Sequence, residues 1–430
     1  MISLEAQYSK TKKLPTRAVL SSMFGGVLEF YDFTIYGFLA PQIGPLFFPL
    51  YDPVASMILG YGIFSVGFLV RPLGSILFGH LGDIYGRKAA LCSSILLMAF
   101  STFLMGILPV YETVGVYASI AILLVRILQG LSAGGEYSGG IIFAVEHSEP
   151  RSRGFAGSLV AAGCMGGVFL GSLTAFLCTM PSMPSWGWRV PFLIGLVISL
   201  VGFYIRRYAS ETPDFNGLSK KVKTPLLSGI KKTPLECFGA FGIAGCAGMT
   251  LYVISVYMTS YLKSIPGLSE STPKLFSTLC TCTMMLSIPV FGYVSDFIER
   301  AKMMKLGVML LAFYAFPFFY LVNTGSDLVI LTVGIVFALI NTIYMGAMNT
   351  YLIELFATSE RYSCSAVFYS LGMGVLGGTA PMIASILSLY SPDGKLLAGY
   401  LITACALGYT AVFVTSRRNN QSSPSFNFHQ

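Results

Sequence analysis

Gly79-His-Leu-Gly-Asp83-Ile-Tyr-Gly-Arg87 and Gly292-Tyr-Val-Ser-Asp296-Phe-Ile-Glu-Arg300 carry one pattern, G-x3-D-x3-R, displaced by 213 positions. Each stretch lies between two long apolar runs. Further along, Glu146 and Arg153 stand seven positions apart, and Glu354 and Arg361 repeat that spacing at a displacement of 208. Polar loops that recur at a near-constant offset mark an internal repeat. The chain reads as two halves built to one plan, with the shared loops at the same end of each half.

The apolar runs say what the halves are made of. Of 430 residues, 54% are hydrophobic and 11% charged, with a mean hydropathy of +0.72. Soluble domains run to about 25% charged. A helix needs about 20 apolar residues to cross a bilayer. Twelve such stretches can be marked, at 17–40, 54–78, 88–109, 115–143, 154–179, 188–208, 237–262, 273–294, 304–322, 327–350, 363–389 and 396–416. The pattern predicts an all-α integral membrane protein, its 12 transmembrane helices forming two pseudo-symmetric six-helix bundles over 1–208 and 237–416. A solvated connector, 209–236, holds Lys220, Lys221, Lys223, Lys231 and Lys232, and a short polar tail, 417–430, follows the last span. The connector's basic run serves to retain topology or to meet anionic lipid.

A net charge of +8 invites a nucleic-acid reading, but its distribution excludes one. With the N-terminus inside, 21 of the 27 Lys and Arg fall in inner loops, inner helix ends and termini. That bias is the positive-inside rule, and it predicts a multi-pass protein with both termini in the cytoplasm. The first apolar run is too long for a signal peptide and holds Glu29 and Asp32, so it reads as an uncleaved span. The nine cysteines lie mostly inside spans, and His80, His147 and His429 are scattered. Neither disulfides nor a metal or other cofactor are expected. No nucleophile–base set appears in the spans, so the chain does not read as an enzyme.

Charges inside the spans carry the function. Glu29 and Asp32 on the first, Arg71 on the second, and Arg126 and Glu136 on the fourth interrupt apolar runs. Each costs about 2.5–3.5 kcal/mol at a helix centre on insertion scales. They must face water, one another or a solute. Gly25, Glu29, Asp32 and Tyr36 share one helical face, as do Arg126, Gln129, Ala133 and Tyr137, with Glu136 at the edge. Asp32 and Arg126 are the natural partners. Whether a carboxylate in such a pair holds its proton depends on the conformation around it, which is what proton coupling needs; a static clamp between two spans is the plainer reading. The second half offers neutral groups instead, with Asn341, Tyr344 and Asn349 on the tenth span and Tyr252 and Tyr257 on the seventh. Glycines at four-residue intervals, Gly163, Gly167 and Gly171 on the fifth span and Gly374 and Gly378 on the eleventh, suit close helix packing.

The loop charges are candidates for a gate at the cytoplasmic face. Gly79, Asp83, Gly86, Arg87, Glu146 and Arg153 belong to the first half, and Asp296, Arg300, Glu354 and Arg361 to the second. Ionic contacts among them can lock that face and release when two bundles rock.

Several stretches resemble the major facilitator superfamily. Gly79 to Lys88 is similar to its loop between spans two and three. Leu28-Glu-Phe-Tyr-Asp32-Phe33, Arg71-Pro-Leu-Gly74, Arg126-x-x-Gln129-Gly130, Gly134-Gly-Glu136-Tyr137, Trp186-Gly-Trp-Arg-Val-Pro-Phe192 and Glu211-Thr-Pro-Asp-Phe215 resemble the metabolite–proton symporter branch. That branch includes carriers of proline and glycine betaine, 2-oxoglutarate, shikimate and citrate. The matches span 28 to 215; beyond them the likeness is one of fold and repeat. Departures are Phe30 where the branch often has Trp, Ile84 where a basic residue is usual, and Glu299 where a glycine would stand. The resemblance implies a monomer in the bacterial inner membrane that imports a small polar metabolite with protons by alternating access. The solute is an amino-acid- or betaine-like zwitterion or an organic acid. An uncoupled facilitator and a non-transporting solute sensor on the same fold are the alternatives.

Overall fold

The computed structural model describes residues 16–49, 53–178, 180, 182–208, 210–217, 223–269 and 271–422. Lys220, Lys221, His429 and the end of the tail lie outside these. Among the described residues the regular structure is all helical.

A chain in lipid must satisfy its backbone within each segment, and long helices do so. They are α1 (Thr16–Phe47), α2 (Pro53–Ile84), α3 (Arg87–Ile107), α4 (Val116–His147), α5 (Arg153–Cys178) and α6 (Val190–Arg207) in the first half. In the second half come α7 (Pro234–Lys263), α8 (Thr272–Val294), α9 (Arg300–Val322), α10 (Asp327–Glu354), α11 (Arg361–Tyr390) and α12 (Lys395–Ser422). Among the described residues, ten helical segments, corresponding to α3 through α12, are long and apolar enough to cross a membrane. Their outer surface suits lipid: Phe313, Tyr320, Leu389 and Tyr390 are 77–80% exposed, a load that water would not tolerate.

Helices of each half pack chiefly among themselves: α1 on α5, α2 on α4 and α3 on α6 in the first, and α9 on α10, α8 on α10 and α7 on α12 in the second. Across the divide the principal pairs are α2 with α11 and α5 with α8, which the repeat relates to each other. Glycine lets backbones meet at these crossings. A Cβ on Gly163 or Gly167 would strike the backbone of α1 at Met23 or Val27, and one on Gly171 the side chain of Thr34. On α11 the packing glycines are not the expected Gly374 and Gly378. They are Gly372 and Gly377, set against Gly245 and Gly248 of α7. The helix loosens into a π-turn over Gly372–Gly377, which rotates the small residues off the four-residue interval.

The connector departs from a plain solvated linker. Thr212 and Phe215 are buried, and Pro225–Lys232 forms a short helix whose Ser228 and Lys232 reach Glu360, at 2.7 and 2.5 Å. The segment therefore lines the end of the molecule that bears the repeated loops, called the basic end below.

Candidate functional site

Between the halves lies a small cavity lined by Phe30 and Tyr137 of the first half and by Leu251, Met345, Met348, Tyr369 and Met373 of the second, among others. Its free space is that of about one water molecule. Tyr137 and Tyr369 stack across the divide at 4.7 Å, and Phe30 tilts onto Tyr137 at 5.9 Å. Tyr137 also donates to Asn349 Oδ1 at 3.1 Å, while the buried Nδ2 of Asn349 has no partner.

Beside the aromatics stands an ion pair. Arg71 binds Glu29 Oε1, and Glu29 Oε2, equally buried, is left without a hydrogen-bond partner. The Arg71 guanidinium packs over Phe33 and Phe68, at 5.1 and 5.7 Å, and Phe68 meets Tyr252 of α7 at 6.0 Å. One anion, one cation and a half-ring of aromatic faces thus converge on the divide. Such faces attract cations through their quadrupole.

Further up α1 is a second cluster. Asp32 accepts from Thr102 Oγ1 at 2.6 Å and from Gln129 Nε2 at 3.1 Å. Gln129 in turn accepts from Arg126 at 2.9 Å. The expected direct pairing of Asp32 with Arg126 is thereby corrected: the Gln129 amide stands between them, donating to the carboxylate and accepting from the guanidinium. Arg126 lies 4.9 Å from the ring centroid of Phe33 and 4.4 Å from that of Tyr36. Phe33 therefore has Arg71 and Arg126 as neighbours at once.

Glu136 points the other way, into the first half. It accepts from Ser94 Oγ at 2.7 Å and pairs with Arg206, a residue not singled out from the sequence. Arg206 is 3% exposed. The signal was available: Gly195, Ser199, Gly202 and Arg206 form one small-residue face of α6, and that face is buried. Two further expectations are corrected. Tyr344 packs inside the second half, donating to Ile243 O at 2.8 Å, and Asn341 accepts from Thr250 of α7 at 3.1 Å. Met345, Met348 and Asn349 present α10 to the cavity and its neighbourhood instead, since Tyr344 lies on another side of the helix.

At the basic end the loop charges meet across the divide. Asp83 accepts from the backbone N–H groups of Tyr362 and Ser363, at 3.2 and 2.8 Å. Asp296 accepts from those of Gly154 and Phe155, at 2.7 and 2.9 Å. Gly79 and Gly292 let the loops approach, because a Cβ on either would overlap the facing helix at Ser363 or Ser158. Arg87 is fully buried, bonded to Glu146 at 3.2 Å and to Thr358 O of the other half at 2.7 Å. Glu146 also receives Arg361 at 2.9 Å and Thr212 at 2.6 Å. Gly86 has φ +113°, a conformation suited to glycine, and a Cβ there would strike Glu211, which accepts from Arg87 N at 3.1 Å. Asp214, within the Glu211–Phe215 stretch but not assigned to the gate, bridges Arg153 and Arg361 at 3.7 and 3.0 Å. The second copy is wetter: Arg300 pairs with Asp296 and Glu354 at 2.9 and 3.1 Å, and the Glu354 side chain is 32% exposed.

The profile of the Major Facilitator Superfamily matches residues 22–381. Among curated proteins, the glycine betaine/proline/ectoine/pipecolic acid transporter OusA of Dickeya dadantii is 34% identical over 94% of this chain and 84% of its own length. The proline/betaine transporter of Escherichia coli K12 is 33% identical over 91% of this chain and 81% of its own. Among solved structures, the proton:xylose symporter XylE bound to 6-bromo-6-deoxy-D-glucose superposes with a TM-score of 0.69 at 17% identity, covering 93% of this chain and 95% of that one. The human organic anion transporter MFSD10 gives 0.70 at 16% identity, covering 94% and 100%.

Proposed function

The chain belongs to the major facilitator superfamily and is a membrane transporter, not an enzyme, and from that premise we propose that it imports a proline- or betaine-like zwitterion together with protons. The observation that carries the reading is the Glu29–Arg71 pair set beside Phe68, Tyr252, Tyr137 and Tyr369 at the divide. A zwitterion needs both charges answered at close range. Arg71 offers a fork for the carboxylate, while Glu29 Oε2 and the aromatic faces receive the ammonium.

Transport follows by alternating access. Two six-helix bundles rock about the central site, and the basic end, which we assign to the cytoplasm, is shut in this conformation. The protein works as a monomer in a bacterial inner membrane, since one chain supplies both walls of the cavity. Asp32 serves as the proton carrier, held by Thr102 and Gln129. A proton falling through about 100 mV releases about 2.3 kcal/mol, and one pH unit adds about 1.4. Together they sustain roughly several hundred-fold accumulation per proton.

The test is uptake of labelled glycine betaine and proline into proteoliposomes under an imposed pH gradient, after a thermal-shift screen of amino acids, betaines and carboxylates. Accumulation that collapses with a protonophore supports the reading. Undiminished uptake under the protonophore would make the protein a facilitator, and binding without flux a sensor.

A further inference from the structure

On the basic-end side of the central cavity lies a second one, and the stacked Tyr137–Tyr369 pair borders both. Ser138 and Ile141 of α4 form one wall, while Asn349 and Leu352 of α10 with Ser365 of α11 form the other. Ser365 precedes Tyr369 by four residues, and Leu352 follows Met348 by four. Both steps lead toward the basic end, since α10 finishes there and α11 begins there. A helical turn rises about 5 Å, so this chamber sits about that much nearer the basic end than the first. Its free space is again that of about one water molecule.

The two chambers differ in chemistry. Arg71 lies within electrostatic reach of Tyr137 and Tyr369 on the central side, whereas none of the residues lining the second chamber is charged. What they offer is hydrogen-bond donors. Asn349 is 2% exposed, and its Oδ1 already accepts from the Tyr137 hydroxyl. Its Nδ2 is buried and has no partner. The Ser138 hydroxyl finds no hydrogen-bond partner among the described residues, and that of Ser365 has only a long 3.4 Å contact with Leu352 O. A buried donor left unmade is costly, and a ligand that answers it explains its presence. The amide and both hydroxyls can donate to an anion. With no guanidinium or ammonium beside them, their hold is weaker than that of Arg71.

We propose that this chamber is a second, exit-side site for the carboxylate of the transported zwitterion, which passes from Arg71 to Asn349 Nδ2 and Ser138 Oγ as the basic end begins to open. This reading rests on zwitterion import through the central site and deepens it. The cationic end of the solute keeps to Tyr137 and Tyr369, which border both chambers, so only the carboxylate changes hands. Ser138 belongs to the first half and Asn349 to the second. Further parting of the halves draws these two donors away from each other and frees the solute toward the basic end. Handover from a guanidinium to neutral donors supplies the weak-binding step that release needs.

The test uses the full-length protein in membrane vesicles of both orientations, with the KM for glycine betaine measured from the basic-end side and from the opposite side. Asn349→Asp keeps the acceptor that Tyr137 uses and removes both N–H donors, so it separates the ligand role from the structural one. It should raise the ratio of the basic-end KM to the opposite-side KM by about 10-fold or more, as loss of a hydrogen bond to a charged group implies. Ser138→Ala, too small a change to threaten the fold, should move the same ratio in the same direction by about 3-fold. A ratio unmoved in Asn349→Asp overturns the proposal. Where that variant fails to insert, an unmoved ratio in Ser138→Ala overturns it. If the wild type carries no glycine betaine from either side, the substrate reading falls and this one with it. If the wild type carries it and the ratio stays put, the exit-side site alone falls.

Discussion

Asp83 stands to the first turn of α11 as Asp296 stands to the first turn of α5. Each carboxylate leaves its own half and accepts from two consecutive backbone N–H groups at a helix start in the other, Tyr362 and Ser363 in one case, Gly154 and Phe155 in the other. The two donor sites are themselves 208 residues apart and the two accepting carboxylates 213, so donor and acceptor both obey the repeat. An acidic group at a helix N-terminus satisfies orphan amides and complements the macrodipole. Breaking one cap costs about 0.5–2 kcal/mol.

Asp83→Ala should therefore shift the closed-to-open ratio of the basic end by about 2- to 30-fold. Cys364, fully buried beside this contact, reports it through its rate of alkylation by a permeant maleimide. An unchanged rate in Asp83→Ala and in Asp296→Ala would show that the caps do not hold the end shut.

Gly139→Ala puts a methyl group inside the Tyr362 phenol. The protein should reach the membrane and bind solute, yet its turnover should drop by about 5- to 150-fold, because fitting the methyl against the phenol costs about 1–3 kcal/mol of overpacking. Wild-type turnover in this variant would mean that Tyr362 does not close against Gly139 during the cycle.

Tyr369→Ala removes one face of the aromatic stack. Loss of a cation–π contact worth about 1–2 kcal/mol predicts a KM for glycine betaine raised about 5- to 30-fold. Tyr369→Phe should keep the affinity near wild type. Equal losses in both variants would move the role from the ring to the hydroxyl.

Asp32→Asn should abolish accumulation against a gradient while leaving solute counterflow intact, measured in the same vesicles. Gln129→Leu, which removes the bridge to Arg126, should weaken accumulation without erasing it. Normal uphill uptake by Asp32→Asn would withdraw the proton from this residue.

Much of this arrangement was legible because bilayers punish exceptions. A charge within an apolar run is costly, so Glu29, Asp32, Arg71, Arg126 and Glu136 declare themselves, and a duplicated loop needs only counting. What stayed hidden depended on rotation and reach. Helical phase at Tyr344 decides between cavity and core. Arg206 is long enough to climb from a helix end to Glu136, and sequence spacing does not fix that path. Thr212, Asp214 and Phe215 belong to a connector whose docking comes from tertiary contacts with Glu146, Arg361 and Arg87.

Phe33 is one ring with Arg71 on the solute side and Arg126 on the Asp32 side. A solute that displaced the first guanidinium would therefore press on the ring that the second one touches. Under the proposed symport, thermodynamic reciprocity then applies: the factor by which a bound zwitterion would strengthen the hold on hydrogen ions must equal the factor by which acidity would tighten zwitterion binding. Replacing that ring with an aliphatic side chain would uncouple the two equilibria without touching a single charged atom.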